Sequence, residues 1–416
     1  MSYEHRPKAS GRRADLLLIV GFFSILVYPA LSLIENPEEL KARGVTEKRA
    51  LTPRPPIWQF AAAPSKFVAD FKSFFEDQFE GRGQLVTFNS LFRYNVFDVS
   101  TNASVLPGKH GAMFFAGEAV VPRHDFGHET ARYRRVLPVT DRRLKRLQDL
   151  LDGRRKWAES MGAKFVFVVA PDKSTTYSEL LPEWLNPLDG PTFTDQLIDH
   201  LKATTNIEIV DLRPALEKAK EPGKPLFYLR DTHWNYEGAL VGYHETTRWL
   251  KEKFPAITPF GPDDLVRKGE RHQGDMTQML HLGTRLSERS HQVLLKSPRS
   301  AIVPFEYDPT PVSSWAAPPI TYKSHDARLP KALVYHDSFM LLLMPYLAEN
   351  FDSSIFIRDQ RVVTSTVKGY KPDVVIFECV ERTLYYLAYI TDDLLPTIEP
   401  AMIAENPIES GSHVKK

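Results

Sequence analysis

The spacing of apolar and polar residues divides the chain into unlike stretches. Leu16 to Ile34 is 19 residues long and carries no charge. As a helix it is about 28 Å long, close to one hydrocarbon core, and it predicts a membrane-spanning segment at 16–34. Residues 35–64 lose apolar periodicity and are rich in Pro, Glu, Lys and Arg, ending in Pro53-Arg-Pro-Pro and Ala61-Ala-Ala-Pro. They read as a linker. From residue 65 to about 398 the pattern is that of a folded domain. Phe67, Phe71, Phe74, Phe75 and Phe79 recur mainly every three or four residues, which predicts an amphipathic helix with core-facing rings. After Gly108-Lys-His-Gly, Ala112 to Phe115 reads as a short strand.

From Asp141 two periodicities alternate. Helical spacing covers Asp141–Met161, Thr194–Thr204, Pro214–Ala219, Tyr236–Phe254, Phe339–Asn350 and Arg382–Ile390. Short apolar runs between them predict strands at Lys164–Ala170, Ile207–Val210, Leu226–Leu229, Ala332–Tyr335, Ser354–Ile357 and Val374–Phe377. Strand–helix alternation of this kind predicts an α/β fold with a doubly wound, mostly parallel sheet. Residues 255–330 break the rhythm with polar residues and prolines and predict an inserted excursion with antiparallel strands. Residues 399–416 are polar and read as a flexible tail.

Charge assigns a direction to the apolar segment. Arg6, Lys8, Arg12 and Arg13 precede it against Glu4 and Asp15, and Glu35, Glu38 and Glu39 follow. The positive-inside rule places residues 1–15 in the cytoplasm and the domain across the membrane. A cleaved signal peptide is the alternative, since Ala30-Leu31-Ser32 is a small-x-small site. The length of the run favours an uncleaved, single-pass anchor. Either way the domain lies outside the cytoplasm, in the periplasm or beyond.

Composition mainly excludes. The formal net charge of +1 over 416 residues gives no basic face for nucleic acid. The single cysteine, Cys379, rules out an intrachain disulfide and a polythiolate zinc site. Within Asp373-Val-Val-Ile-Phe-Glu-Cys-Val it reads as a small buried hydrophobe.

Open α/β sheets bind ligands beyond the carboxyl ends of their strands. Three polar clusters fall there: Pro171-Asp-Lys, Asp231-Thr-His-Trp and His336-Asp-Ser. Ser338 sits between a strand and a helix, where a tight turn exposes a hydroxyl beside backbone N–H groups suited to an oxyanion. It reads equally as a helix cap. Asp231 and His233 project to one side of an extended segment, so the carboxylate can hold one ring nitrogen while the other faces a serine. They read equally as loop residues before a helix capped by Asn235. A metal reading uses Asp231, His233 and Asp337 as ligands.

Several motifs in order resemble the exported, SGNH-hydrolase-like O-acetyltransferases of bacterial polysaccharides, the alginate O-acetylation family. They are Glu47-Lys-Arg-Ala-Leu with Pro53, Phe79-Glu-Gly-Arg82, Gly108-Lys-His-Gly-Ala-Met-Phe-Phe, Pro171-Asp-Lys-Ser-Thr-Thr-Tyr177 with Leu181-Pro, Asp231-Thr-His-Trp-Asn, Gly274-Asp-Met, Asp337-Ser-Phe339, and Pro372-Asp-Val-Val-Ile with Glu381-Arg382. The likeness covers residues 45–395. It implies Ser338 as nucleophile, His233 as base and Asp231 as the orienting acid, with no metal and no cofactor. It also implies a polysaccharide acceptor and, because acetyl-CoA stays in the cytoplasm, a multi-pass membrane-bound O-acyltransferase in the inner membrane as acetyl donor. Arg382 and Lys173 are candidates for orienting an acyl or sugar group, or for ion pairing such as Asp172 with Lys173. His336 stands where related nucleophile turns often have Gly; it contacts substrate or packs. Tyr177 reads as structural. A carbohydrate esterase with the same triad, and a non-catalytic polysaccharide-binding or assembly subunit, are the alternatives. The 78 residues after Ser338 are expected to complete the sheet without a separate carbohydrate-binding module.

Overall fold

The computed structural model describes residues 10–31, 51–78, 82–117, 129–136, 139–305, 318–360, 362, 369–384 and 387–388. The chain divides into one unit of Met1–Asn102 with Thr277–Arg285 and a second of Ala103–Met276 with Leu286–Lys416.

The first unit contains the helices Ser10–Leu31, Trp58–Ala62, Pro64–Gln78 and Arg82–Phe97. Ser10–Leu31 takes in the polar residues before the expected anchor. Its apolar part begins at Leu16. Among the described residues no helix is long and apolar enough to cross a membrane. Residues 32–34 of the expected span lie outside the described residues, as do 1–9 and 32–50 altogether. The stretch read as linker is ordered at its end. A helix occupies Trp58–Ala62, the Gln59 amide donates to Asp70, and Thr52 and Gln78 tie the preceding segment to the phenylalanine-rich helix. Phe74 is buried, as its spacing predicts, Phe67 and Phe75 are half-buried, Phe71 is exposed, and Phe79 lies outside the described residues.

The second unit is built on a sheet. β1 (Val105–Pro107) and β2 (Met113–Phe115) pair as a small antiparallel hairpin. β3 (Lys164–Ala170) and β4 (Glu208–Asp211) belong to the main sheet. β5 (Leu265–His272) and β6 (Glu288–Leu295) form a separate antiparallel ribbon. β7 (Ala301–Val303), β8 (Ile320–Lys323), β9 (Lys331–Tyr335), β10 (Ser353–Ile357) and β11 (Val374–Val380) complete the main sheet. Its order is β4-β3-β11-β9-β10-β8-β7. The first five strands are parallel, and β8 and β7 add antiparallel at one edge. The excursion expected over 255–330 therefore supplies the ribbon and the antiparallel edge.

The doubly wound form follows from strands buried on both faces, since successive side chains point to opposite sides. Val166, Val168, Val334 and Ile376 pack on one face beneath Tyr243 and Leu343, which belong to the helices Tyr236–Lys253 and Met340–Leu347. Phe165, Phe167, Leu333 and Phe377 pack on the other against the helices Asp141–Ser160 and Phe193–Thr204. Cys379 is fully buried there, and its thiol donates to Gln360 at 2.8 Å. The carboxyl ends of β3, β11 and β9 lie side by side, so Pro171, Glu381 and His336 follow their strands at one rim of the sheet. Residues 381–384 and 387–388 are helical; the rest of the expected Arg382–Ile390 helix and the tail at 399–416 lie outside the described residues.

Candidate active site

Leu226–Leu229 is not a sheet strand. It forms a tight reversal with one bridge, Phe227 to Trp234. The Tyr228 N–H donates to the His233 carbonyl at 3.3 Å, and the Asn235 N–H to the Leu226 carbonyl at 2.9 Å. These apolar residues line a turn, so strand-like composition here serves a different geometry. The Leu226 N–H donates to the Tyr177 hydroxyl at 2.9 Å, so Tyr177 is structural. Asn235 caps the next helix by accepting from the N–H groups of Glu237 and Gly238. The cap reading of Asn235 and the pairing of Asp231 with His233 hold together, and the turn presents residues 231–233 at its tip.

There the His233 Nδ1–H donates to Asp231 Oδ1 at 2.7 Å, and the His233 backbone N–H donates to the same oxygen at 2.9 Å. A carboxylate at Nδ1 sets the tautomer, leaving Nε2 as acceptor. The Ser338 hydroxyl lies 2.8 Å from that nitrogen. Asp231 is buried, while the His233 side chain remains 26% exposed. Burial acts to raise the Asp231 pKa, but hydrogen bonds from His233 and His272 prevail and hold it well below the ordinary carboxylate range.

Ser338 does not cap the following helix, which has no side-chain cap. The side chain that holds the turn is Asp337. Its Oδ1 accepts the Phe339 N–H at 2.9 Å, and its Oδ2 accepts the Val380 N–H at 2.8 Å and the Thr383 hydroxyl at 3.1 Å. Asp337 thereby fastens the serine turn to the end of β11. Beneath it Glu378 is buried, and burial together with the Asp337 charge pushes its pKa well up. From the other side the Trp234 indole N–H donates to the Phe339 carbonyl at 2.9 Å, so Trp234 clamps the turn.

The softer candidates separate. Lys173 is buried and donates to three carbonyls, Met113 at 2.8 Å, Leu229 at 2.6 Å and Asp231 at 3.3 Å. It staples β2 to the turn that carries His233, and burial pushes its pKa down to about 7. The expected Asp172–Lys173 ion pair is replaced. Asp172 accepts from Arg382, through both guanidinium and backbone N–H, and from Arg132 at 3.0 Å. Arg382 remains at the rim, 20% exposed, with its guanidinium 5.0 Å from the Phe339 ring centre. His336 packs rather than facing the serine. It is buried, its Nδ1–H donates to the Asp337 carbonyl at 2.6 Å, and burial pushes its pKa down to about 4.

Three residues of the site escaped the sequence reading of roles. His272, at the end of β5, lies with Nε2 2.8 Å from Asp231 Oδ2. The Asp275 N–H donates to the same oxygen at 2.9 Å. The Asp275 carboxylate accepts from the Thr232 N–H at 2.9 Å and from its hydroxyl at 2.6 Å; burial first, then the charge of Asp231, raises its pKa. The Gly274-Asp-Met motif was the available signal. A Cβ on Gly274 would lie 2.0 Å from the Arg230 carbonyl oxygen, so only glycine lets this segment approach Asp231. Asp231, His233 and Asp275 offer ligand atoms within 4.8 Å of one another. Asp337, the third ligand of the metal reading, is committed instead to holding the serine turn.

The fold and this hydrogen-bonded chain define a serine-centred α/β domain. Residues 105–303 match the family model described as SGNH hydrolase-like domain, acetyltransferase AlgX. That range contains Asp231, His233, His272 and Asp275, and Ser338 lies beyond it. A protein named probable alginate O-acetylase AlgJ, from Pseudomonas fluorescens, is 28% identical over 145 residues, which is 34% of this chain. The match spans 36% of that relative, about a third of its length. The O-acetyltransferase domain of Pseudomonas putida AlgJ superimposes with a TM-score of 0.46 and 17% identity, over 73% of this chain and 98% of that one. Bacillus cereus PatB1 superimposes with a TM-score of 0.47 and 14% identity, over 68% and 96%. The likeness to SGNH hydrolase-like acetyltransferases that the motifs implied is found over residues 105–303, a little under half of the chain.

Proposed function

We propose that this protein is an O-acetyltransferase that moves acetyl groups onto hydroxyls of an exported polysaccharide through an acetyl-serine intermediate. The observation that carries the reading is the continuous hydrogen-bond chain from Asp231 through His233 to Ser338, with both contacts at 2.7–2.8 Å. His233 Nε2 takes the Ser338 proton as Oγ attacks the acetyl carbonyl. The oxyanion is met by the Ser338 backbone N–H at the turn. The donor's leaving group departs with the proton from His233. A sugar hydroxyl then gives its proton to His233 and attacks the acetyl-serine, and Ser338 recovers a proton from His233 as its bond to the acetyl group breaks. Arg382, at the rim beside Phe339, orients the acyl or sugar group. The name of the Pseudomonas fluorescens relative and the description of the matching family model support acetyl transfer, and the former an alginate-like acceptor.

The same proposal places the domain outside the cytoplasm, with residues 16–34 as a single-pass anchor in the inner membrane. A multi-pass membrane-bound O-acyltransferase is the donor partner. Charge asymmetry around the apolar segment supports this orientation.

The test uses the full chain in detergent with an aryl acetate donor and oligosaccharide acceptors, followed by mass spectrometry. Acetylated sugar that disappears in Ser338→Ala supports transfer. Free acetate alone, lost in the same variant, identifies an esterase. Donor turnover unchanged in Ser338→Ala refutes the serine mechanism.

A further inference from the structure

The Asp231 carboxylate is shared. Its Oδ1 receives both N–H groups of His233, and its Oδ2 receives the Asp275 backbone N–H and faces His272 Nε2. His272 comes from a separate part of the architecture, the β5–β6 ribbon, and reaches in at the last residue of β5, opposite Glu288. Its ring is fixed. Tyr228 stacks on it at 3.7 Å with planes 11° apart, and the Tyr228 hydroxyl donates to Glu270 at 3.3 Å. Neither His272 nor its aromatic support has a part in the three-residue chemistry.

We propose that His272 is a positioning residue for acyl transfer: a second, non-reacting histidine that holds Asp231 from behind and governs how much of its charge is available to His233. This rests on the reading of Ser338, His233 and Asp231 given above. Two effects follow from the geometry. With Oδ2 bonded to His272, the carboxylate cannot rotate about its last bond without losing bonds at both oxygens, so Oδ1 stays in line with His233 Nδ1. Asp231 must also stabilise the imidazolium that forms on His233 as Ser338 attacks. A proton on His272 places a competing cation on the same carboxylate, which weakens that stabilisation.

The groups around His272 favour such a proton. Asp231, Glu270 from β5 and Glu288 from β6 face it, the neutral Tyr228 ring covers it, and Asp275, His233 and Lys173 lie across or beside Asp231. Burial opposes the charge, but the bond to Asp231 and the three carboxylates prevail and raise the His272 pKa. Activity is therefore expected to fall on the acid side through an ionisation additional to that of the reacting histidine.

The experiment compares full-length wild type, His272→Ala and His272→Gln by turnover of an aryl acetate across pH, with Ser338→Ala as reference. His272→Ala is expected to lower kcat about 10- to 100-fold with KM little changed, about 1.4 to 2.7 kcal/mol, as loss of one charge-assisted bond to Asp231 would give. His272→Gln keeps an N–H donor without a titrating ring, so it is expected to restore most of kcat at pH 8 and to lose the extra acid-side ionisation. The Gln variant decides the question even if the Ala variant does not fold. Superimposable pH profiles for wild type and His272→Gln, with kcat unchanged in either variant, overturn the proposal. If Ser338→Ala is inactive in that case, the serine mechanism stands and only the role of His272 fails. If Ser338→Ala retains turnover, the underlying reading fails first.

Discussion

The approach of residue 274 to the Asp231 turn can be tested with one methyl group. In Gly274→Ala the new Cβ lies 2.0 Å from the Arg230 carbonyl oxygen, 2.5 Å from its carbon and 3.0 Å from the Asp231 nitrogen. All three are backbone atoms, so no side chain can swing aside. Clearing even 3.0 Å from the oxygen requires a separation of at least 1.0 Å between two backbone segments. That displacement falls on the segment whose Asp275 N–H donates to Asp231 at 2.9 Å, and it breaks that bond. Overpacking of this kind costs about 1–3 kcal/mol, and a bond to a charged acceptor adds about 1.5–3 kcal/mol. The expected loss is on the order of 3 kcal/mol of stability. A misplacement of about 1 Å near the reacting groups costs about 100-fold in kcat. Gly153→Ala is the control. It lies inside the helix Asp141–Ser160, a Cβ there meets nothing within 4 Å, and alanine is expected to stabilise by about 0.5–1 kcal/mol. Denaturant melts and aryl acetate turnover on both variants decide the matter. Equal stability and equal kcat for the two would refute the close-approach argument.

Asp231→Asn keeps the shape of the turn but removes the charge and the tautomer control at His233, so kcat is expected to fall about 10³-fold or more in the same turnover assay. Asp337→Ala removes the acceptor for Phe339, Val380 and Thr383; equilibrium unfolding is expected to show a loss of about 2–3 kcal/mol, and kcat is expected to drop with KM little changed. His336 has a folded pKa of about 4 against an ordinary 6.5, so the folded state binds fewer protons in that window. The stability it contributes is present above pH 6.5 and is lost as pH falls towards 4. His336→Asn, which keeps a donor for the Asp337 carbonyl, is therefore expected to remove on the order of 3 kcal/mol of acid sensitivity between pH 7 and 4 in denaturant titrations.

Much of the sheet could be read along the chain because its signals are local. β3 occupies the predicted Lys164–Ala170, and β9, β10 and β11 begin within one residue of their apolar runs. Strands buried on both faces leave uninterrupted apolar stretches, and the polar clusters that follow them had to lie at the rim. Ser338 was found for that reason, Asp231 and His233 followed a run that is a turn and not a strand, and the structure brings the three together. What could not be read was partnership at a distance. His272 is 41 positions from Asp231 and ends a mostly polar ribbon strand, so nothing near it in the chain marks its acceptor. Asp172 and Lys173 are neighbours with opposite charge, yet each is spent elsewhere, because burial rewards the partners that satisfy every donor. At Leu226–Leu229 strand-like composition concealed a turn whose shape depends on Tyr177 and Asn235.

Among the described strands, the one that fills the gap between β3 and β9 is the last in the chain. β11 lies between β3 and β9, yet it follows β9 by 39 positions in the chain, counted from Tyr335 to Val374, and it carries the Val380 N–H that anchors Asp337. A chain still emerging from a ribosome therefore has a gap in its middle and a loosely held serine turn. The sheet closes, and the nucleophile is fastened, only when nearly all of the domain is available to fold. A chain cut short before Val374 would therefore cost the serine turn its anchor as well as the sheet its middle.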